Sequence, residues 1–193
     1  MTHRGKEKRE LSIKLKRNQI IFILGIVAIT VFIFLYDLYM PRPLTAIAYH
    51  GIVLNFRADL KEARNIAVHP SEQVLYDALV SNSIENITIA VKPAGEENPI
   101  YSVQTFELVT KLEIGYLTLG LNPNFDREPL IVESYENLTG EPQNPVIALV
   151  HPIYSNETEI RVENDVVFVK AKDYKDFDLA IAKLLMVALR IKI

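Results

Sequence analysis

The apolar positions along the chain fall into three kinds of pattern, and each predicts a different element. The first is an unbroken run from Ile20 to Tyr39, IIFILGIVAITVFIFLYDLY, in which no charge occurs between Asn18 and Tyr36. As a helix rising about 1.5 Å per residue, that run is long enough to cross the hydrocarbon of a bilayer.

The second kind is strand-like. Leu44 to Arg57 reads as one strand, with Ile52, Leu54 and Phe56 on one face and Asn55 and Arg57 on the other. Ile87 to Val91 is rich in β-branched residues, and Leu130 to Val132 is a shorter piece of the same type. Val146 to Val150 is continuously apolar, as expected of a central strand buried on both faces. Glu159–Val162 and Val166–Val169 flank Glu163-Asn164-Asp165. They predict a hairpin, because Asn164 and Asp165 tolerate the positive φ of a tight turn.

The third kind repeats at three and four residues. Val103, Phe106, Val109, Leu112, Tyr116 and Leu119 predict a helix from about Ile100 to Thr118, stopped by Gly120. Val74, Leu75, Ala78 and Leu79 form the stripe of a helix opened by His69-Pro70-Ser71, with Pro70 at its first position. Asp59 to Glu62 resembles a capping box and starts a short helix through about Asn65. The last helix runs from about Tyr174 to Lys192, capped by Asp173 or Asp176. Between Phe177 and Leu189 only Asp178 and Lys183 are charged. A helix so apolar all round is expected to lie between the sheet and other helices.

These elements predict an α/β or α+β domain with a mixed β-sheet and helices packed on its faces, carried behind a single transmembrane helix. The division is a basic cytoplasmic tail (1–17), a transmembrane signal anchor (18–40) and an extracytoplasmic domain (41–193).

Charge gives this layout a direction. The formal net charge is -3, but residues 1–19 carry +5 and the domain carries -7. Lys and Arg crowded beside a membrane helix stay on the cytoplasmic side. The N-terminus is therefore expected in the cytoplasm and the domain outside, at the plasma membrane. The segment after the run, Asp37-Leu38-Tyr39-Met40-Pro41, has no Ala-x-Ala site, which fits an uncleaved anchor. Pro41 and Pro43 end the helix, exclude its pilin-like continuation into the domain, and hold the domain close to the bilayer. The bilayer is thus the first expected partner.

Cysteine is absent, so disulfides, thiolate metal sites and Cys nucleophiles are excluded. The acidic domain argues against nucleic acid as a partner. No nucleophile elbow, phosphate loop or dinucleotide fingerprint occurs. His50, His69 and His151 share no metal-ligand spacing. Asp173, Asp176 and Asp178 lack the glycine and the further oxygens of a calcium loop, and read as helix-capping acids. No catalytic, cofactor or metal residue is assigned. Asn137, Asn156 and Asn86 each open an Asn-x-Thr glycosylation pattern on the expected outer side; the first two fall in predicted loops and the third starts a strand.

The reading that follows is a non-enzymatic accessory or assembly subunit of a membrane or cell-surface complex, with another membrane protein as its partner. Two alternatives stand beside it. One is a tethered hydrolase using the histidines with nearby carboxylates. The other is a solute-binding or sensory domain, which would need a pocket of a few hundred Å3.

Overall fold

The computed structural model describes residues 45–95, 99–126 and 128–192. The expected tail and anchor lie outside the described residues. Among the described ones, no helix is long and apolar enough to cross a membrane.

The chain enters through β1 (Thr45–Tyr49) and β2 (Ile52–Phe56), an antiparallel pair forming its own two-stranded sheet. The single strand expected over Leu44–Arg57 is therefore a hairpin. His50 and Gly51 take φ of 47° and 83°, the two positive values a type I′ turn requires. Leu54 and Phe56 are buried as expected, but Ile52, beside the turn, is exposed. Helix α1 (Leu60–Ala63) is capped by Asp59, whose carboxylate accepts from the Lys61 N–H at 2.8 Å. A short strand, β3 (Ala67–His69), comes next; three residues are too few to show alternation. Helix α2 spans Glu72–Leu79. Ser71 caps it, its hydroxyl accepting from the Val74 N–H at 3.2 Å. Pro70 thus lies ahead of the cap, joined to His69 by a cis peptide, and not at the first helical position.

The remaining elements are β4 (Asn86–Val91), α3 (Pro99–Leu119), β5 (Asn124–Phe125), β6 (Leu130–Ile131), β7 (Val146–Val150), β8 (Glu159–Glu163), β9 (Val166–Lys170) and α4 (Tyr174–Ala188). A single 3-10 turn, Pro152–Tyr154, follows β7. The main sheet runs in the order β3-β8-β9-β7-β4-β5, and β6 also pairs with β4. Strands β9, β7, β4, β5 and β6 are mutually parallel. Strand β8 runs against β9 across the expected hairpin, with Asn164 and Asp165 at φ of 52° and 58°, and β3 lies parallel to β8. This is a mixed α/β fold.

Alternation along the strands sorts their side chains between two layers. Ile87, Ile89, Ile147, Leu149, Val167 and Val169 point to one face, where all four described helices pack. Ala90, Val146, Ala148 and Val166 point to the other, where Val132, Tyr135 and Leu138 of a loop cover them. Helices were expected on both faces; a loop serves instead because the small residues Ala90 and Ala148 leave a shallow surface. Strand β7 is buried over its whole length, as its unbroken apolar run predicts.

Helix α3 buries only part of the predicted stripe, Leu112 and Tyr116 and, less fully, Val109. Tyr101, Gln104, Leu108, Lys111, Leu112 and Tyr116 are buried, whereas Val103 is 43% and Phe106 73% exposed. The buried stripe contains polar residues, each with a partner. Gln104 donates to Asp178 of α4, Lys111 to Glu107, and the Lys111 ammonium lies 4.6 Å from the Phe56 ring centroid. The Tyr116 hydroxyl donates to the Leu79 carbonyl at 2.7 Å, tying α3 to the end of α2. Gly120 ends the helix as expected. At φ 72° it donates to Leu117, and Leu121 donates to Tyr116, the paired bonds of a Schellman cap. Gly115 lets α3 approach α4, since a Cβ there would lie 2.0 Å from Leu189 Cδ2.

Helix α4 begins at Asp173, whose carboxylate accepts from the Asp176 N–H at 2.8 Å, and ten of its residues are buried, Phe177 to Ala188. It is the expected central helix. Leu185→Ala is expected to destabilise the protein by about 2–5 kcal/mol, as for other fully buried leucines. Leu117→Ala, at a site 68% exposed, is expected to stay within about 0.5 kcal/mol of wild type. Denaturant unfolding followed by circular dichroism measures both.

Candidate functional site

In an open parallel sheet, ligands bind beyond the C-terminal strand ends where successive connections leave in opposite directions. Here that point lies between β4 and β7. From β4 the chain crosses through α3 to the β5/β6 edge; from β7 it passes to the β8–β9 hairpin on the other side. The residues just after these strands are Lys92 and His151.

Tyrosines fill this crevice. The Tyr135 hydroxyl donates to the Leu149 carbonyl at 2.7 Å and accepts from the Lys92 N–H at 2.9 Å. The Tyr101 hydroxyl accepts from the His151 N–H at 3.2 Å. Tyr154 donates to the Pro93 carbonyl, and the Lys92 ammonium lies 4.4 Å from its ring centroid. His151 is fully buried, its Nδ1 accepting from the Ile153 N–H at 3.3 Å and its ring edge-on to Tyr101 and Tyr174. Burial raises the pKa of Tyr101 and of Tyr135, so both stay neutral phenols at ordinary pH. The strand ends are capped by these side chains.

The open space lies beside this plug. A groove of about 580 Å3 runs between α3 and the β5/β6 edge. Its apolar walls are Phe106, Val109, Phe125 and Ile131, and its charged side chains are Glu113 and Asp126; no base lines it among the described residues. Phe106 and Ile131 are 73% and 62% exposed, and Val103, three residues before Phe106 on α3, is 43% exposed. The Thr105 hydroxyl, on the wall, is buried and makes no hydrogen bond among the described residues. Thr88 and Asn86 hold the Asp126 carboxylate, at 2.5 and 3.2 Å. The bonds Asp126 N–H to Ile87 and Val132 N–H to Val91 turn the backbone groups of Phe125 and Ile131 away from β4, toward the open edge.

The other residues singled out from the sequence are dispersed. His50 is the exposed turn of the β1–β2 hairpin, His69 ends β3, and His151 is buried beyond β7. The three acids near the last helix have separate partners. Asp173 caps α4, Asp176 accepts from Thr158 at 2.7 Å and pairs with Lys172, and Asp178 accepts from Gln104. Burial raises the Asp178 pKa against the pull of that hydrogen bond. No group of three or more His, Asp or Glu that could hold a metal occurs among the described residues. Asn137 and Asn156 are exposed in loops, whereas Asn86 is half-buried at the start of β4 and bonded to Asp126.

One charged cluster escaped the sequence reading. On the loop-covered side of the sheet, Glu159 is buried and accepts from Arg161 at 3.0 and 3.1 Å and from Lys170 at 3.0 Å, with His69 Nε2 3.7 Å away. The alternation Glu159-Ile160-Arg161-Val162-Glu163 was its signal. Comparison with protein-family models, curated proteins and solved structures returned no match.

The hydrogen bonds from Arg161, and then Lys170, hold the Glu159 carboxyl below its ordinary 4.5, outweighing its burial. A carboxyl lowered in the folded state stabilises above its unfolded pKa, and that contribution is lost as pH falls toward the folded value. Wild-type stability is therefore expected to drop below about pH 4.5, and Glu159→Gln to flatten that part of the profile. Unfolding midpoints between pH 3 and 6 (a window of roughly one unit or more on each side) give the comparison. An unchanged slope in the variant would remove Glu159 from the account.

Proposed function

We propose that the domain is an extracytoplasmic accessory or assembly subunit, held at the plasma membrane by the 18–40 anchor with its N-terminus in the cytoplasm. In this reading it docks a segment of another membrane protein in the groove between α3 and the β5/β6 edge. The carrying observation is the apolar surface that Phe106 and Val103 of α3 and Ile131 of β6 leave in water. Exposed apolar patches rimmed by polar groups mark interaction surfaces.

The lining chemistry selects the occupant. Apolar walls take an apolar side chain, while Glu113 and Asp126, with no opposing base among the described lining residues, favour a basic residue beside it. The Thr105 hydroxyl and the outward backbone groups of Phe125 and Ile131 offer hydrogen bonds to an incoming chain. The partner segment is therefore an apolar stretch flanked by Lys or Arg. The separation of the histidines supports this reading over the hydrolase alternative.

The test uses the full-length chain extracted from its own membranes in mild detergent, with a photo-reactive residue at Thr110 on the groove wall. The expected result is a cross-link to an apolar, basic-flanked segment of one other protein, and a matching heteromeric mass by native mass spectrometry. Phe106→Asp with Ile131→Asp should lower its yield about tenfold or more, while Glu133→Gln, a charge change outside the groove, leaves it unchanged. Cross-links to lipid or to a second copy of this chain would sink the proposal.

A further inference from the structure

A second groove, distinct from the first, lies between α2 and the C-terminal end of α4, with a volume of about 700 Å3. Arg64, Lys183, Arg190 and Lys192 line it, and among the described lining residues the one carboxylate is Glu72. In a domain of net charge -7, four of fourteen bases thus share a single concavity.

Two details set this apart from a scatter of surface lysines. Lys183 is buried in α4, where Asp178 is the one other charge between Phe177 and Leu189; its ammonium donates to the Arg64 carbonyl at 3.0 Å and to the Glu72 carboxylate. The Lys183 side chain is 5% exposed and that of Glu72 is 61% exposed. The counter-ion of a buried ammonium is therefore a surface side chain that can rotate into water without moving the core. The second detail is Arg190. It occupies the position after α4 where glycine is usual, at φ 51°, with Arg190 N–H bonded to Val187 and Ile191 N–H to Met186. Its guanidinium lies 3.9 Å from the Tyr76 ring centroid, which holds it at the groove.

The geometry points to a phosphate-binding site. Lys183 forms its floor, Arg64, Arg190 and Lys192 its rim, and Glu72 is the resident anion that phosphate displaces. Among the described lining residues one carboxylate faces four bases, whereas a phosphate group brings one or two charges and several acceptor oxygens to the guanidinium forks. The phosphate could come from a soluble ester or from an anionic lipid headgroup, since the expected tether keeps the domain near the bilayer. This site is independent of the partner groove, and neither stands or falls with the other.

The test uses the full-length chain in phosphatidylcholine nanodiscs. Glycerol phosphate is titrated by calorimetry, and hydrogen exchange across residues 183–192 is compared with and without phosphatidylglycerol in the disc. Saturable binding of glycerol phosphate supports a soluble source, and slowed exchange only with phosphatidylglycerol supports the lipid source. Glu72→Gln should tighten binding about threefold or more by removing the competing carboxylate. Arg190→Gly, which relieves the backbone while deleting the guanidinium, and Arg64→Gln should each weaken it about tenfold. Lys61→Gln, an equal charge change at an exposed position outside the groove, should leave it within about twofold. Loss of binding in Lys61→Gln equal to that in Arg190→Gly would reduce the effect to net charge and overturn the assignment. So would no response to either phosphate source, or weaker binding in Glu72→Gln.

Discussion

The C-terminal helix has apolar residues on every side, and the fold is the arrangement that covers them. A helix with one apolar stripe needs one partner surface; α4 needs several. The sheet lies beneath it, α1 and α2 flank it, and α3 approaches closely enough that Gly115 leaves room only for Leu189. Ten of its residues leave water as a result. Placing all four described helices on one face of the sheet follows from this demand, and it leaves the other face to a loop over small side chains.

Polar groups inside this core set the register of the packing. Gln104 meets Asp178, Lys183 meets the Arg64 carbonyl and Glu72, and Tyr116 reaches the Leu79 carbonyl. Each would lose a hydrogen bond if its helix slid or turned, and an unpaired buried polar group costs about 1–3 kcal/mol. Apolar contacts alone would tolerate several relative positions of α3 and α4; these bonds tolerate one. The same bonds aim the exposed faces. Turning Gln104 and Lys111 inward puts Phe106 and Val103 outward.

Two of the grooves among the described residues therefore have opposite character. The strand ends, where parallel sheets ordinarily bind ligands, are stopped by Tyr101, Tyr135 and Tyr154. Open space is displaced to the sheet edge, where it is apolar and acidic, and to the end of α4, where it is basic. In the two proposals above, opposite charge keeps the grooves from competing for one ligand, so that one small domain would engage a basic-flanked protein segment and a phosphate group together.

How much of this was legible depends on whether the governing signal is local. The β8–β9 hairpin, the buried β7, the Gly120 stop and the Asp173 cap were readable, because turn chemistry, unbroken apolar runs and capping act within a few residues. The anchor and its orientation are likewise expectations from a local run and its flanking charges. The β1–β2 turn was missed because His50-Gly51, although both residue types can take positive φ, is a weaker hairpin signal than Asn-Gly or Asp-Gly. The exposed face of α3 was misread, because periodicity counts apolar residues and cannot tell that Gln104 and Lys111 will find partners in Asp178 and Glu107. Both grooves lay beyond the sequence for the same reason. Arg64 is far in the chain from Lys183 and Arg190, and Phe106 and Ile131 are on different elements. The sequence by itself determined the elements and the helix that had to be covered. Which side chains meet across those elements was decided only by the tertiary structure, because pairing of buried polar groups is a property of distance in space and leaves no period along the chain.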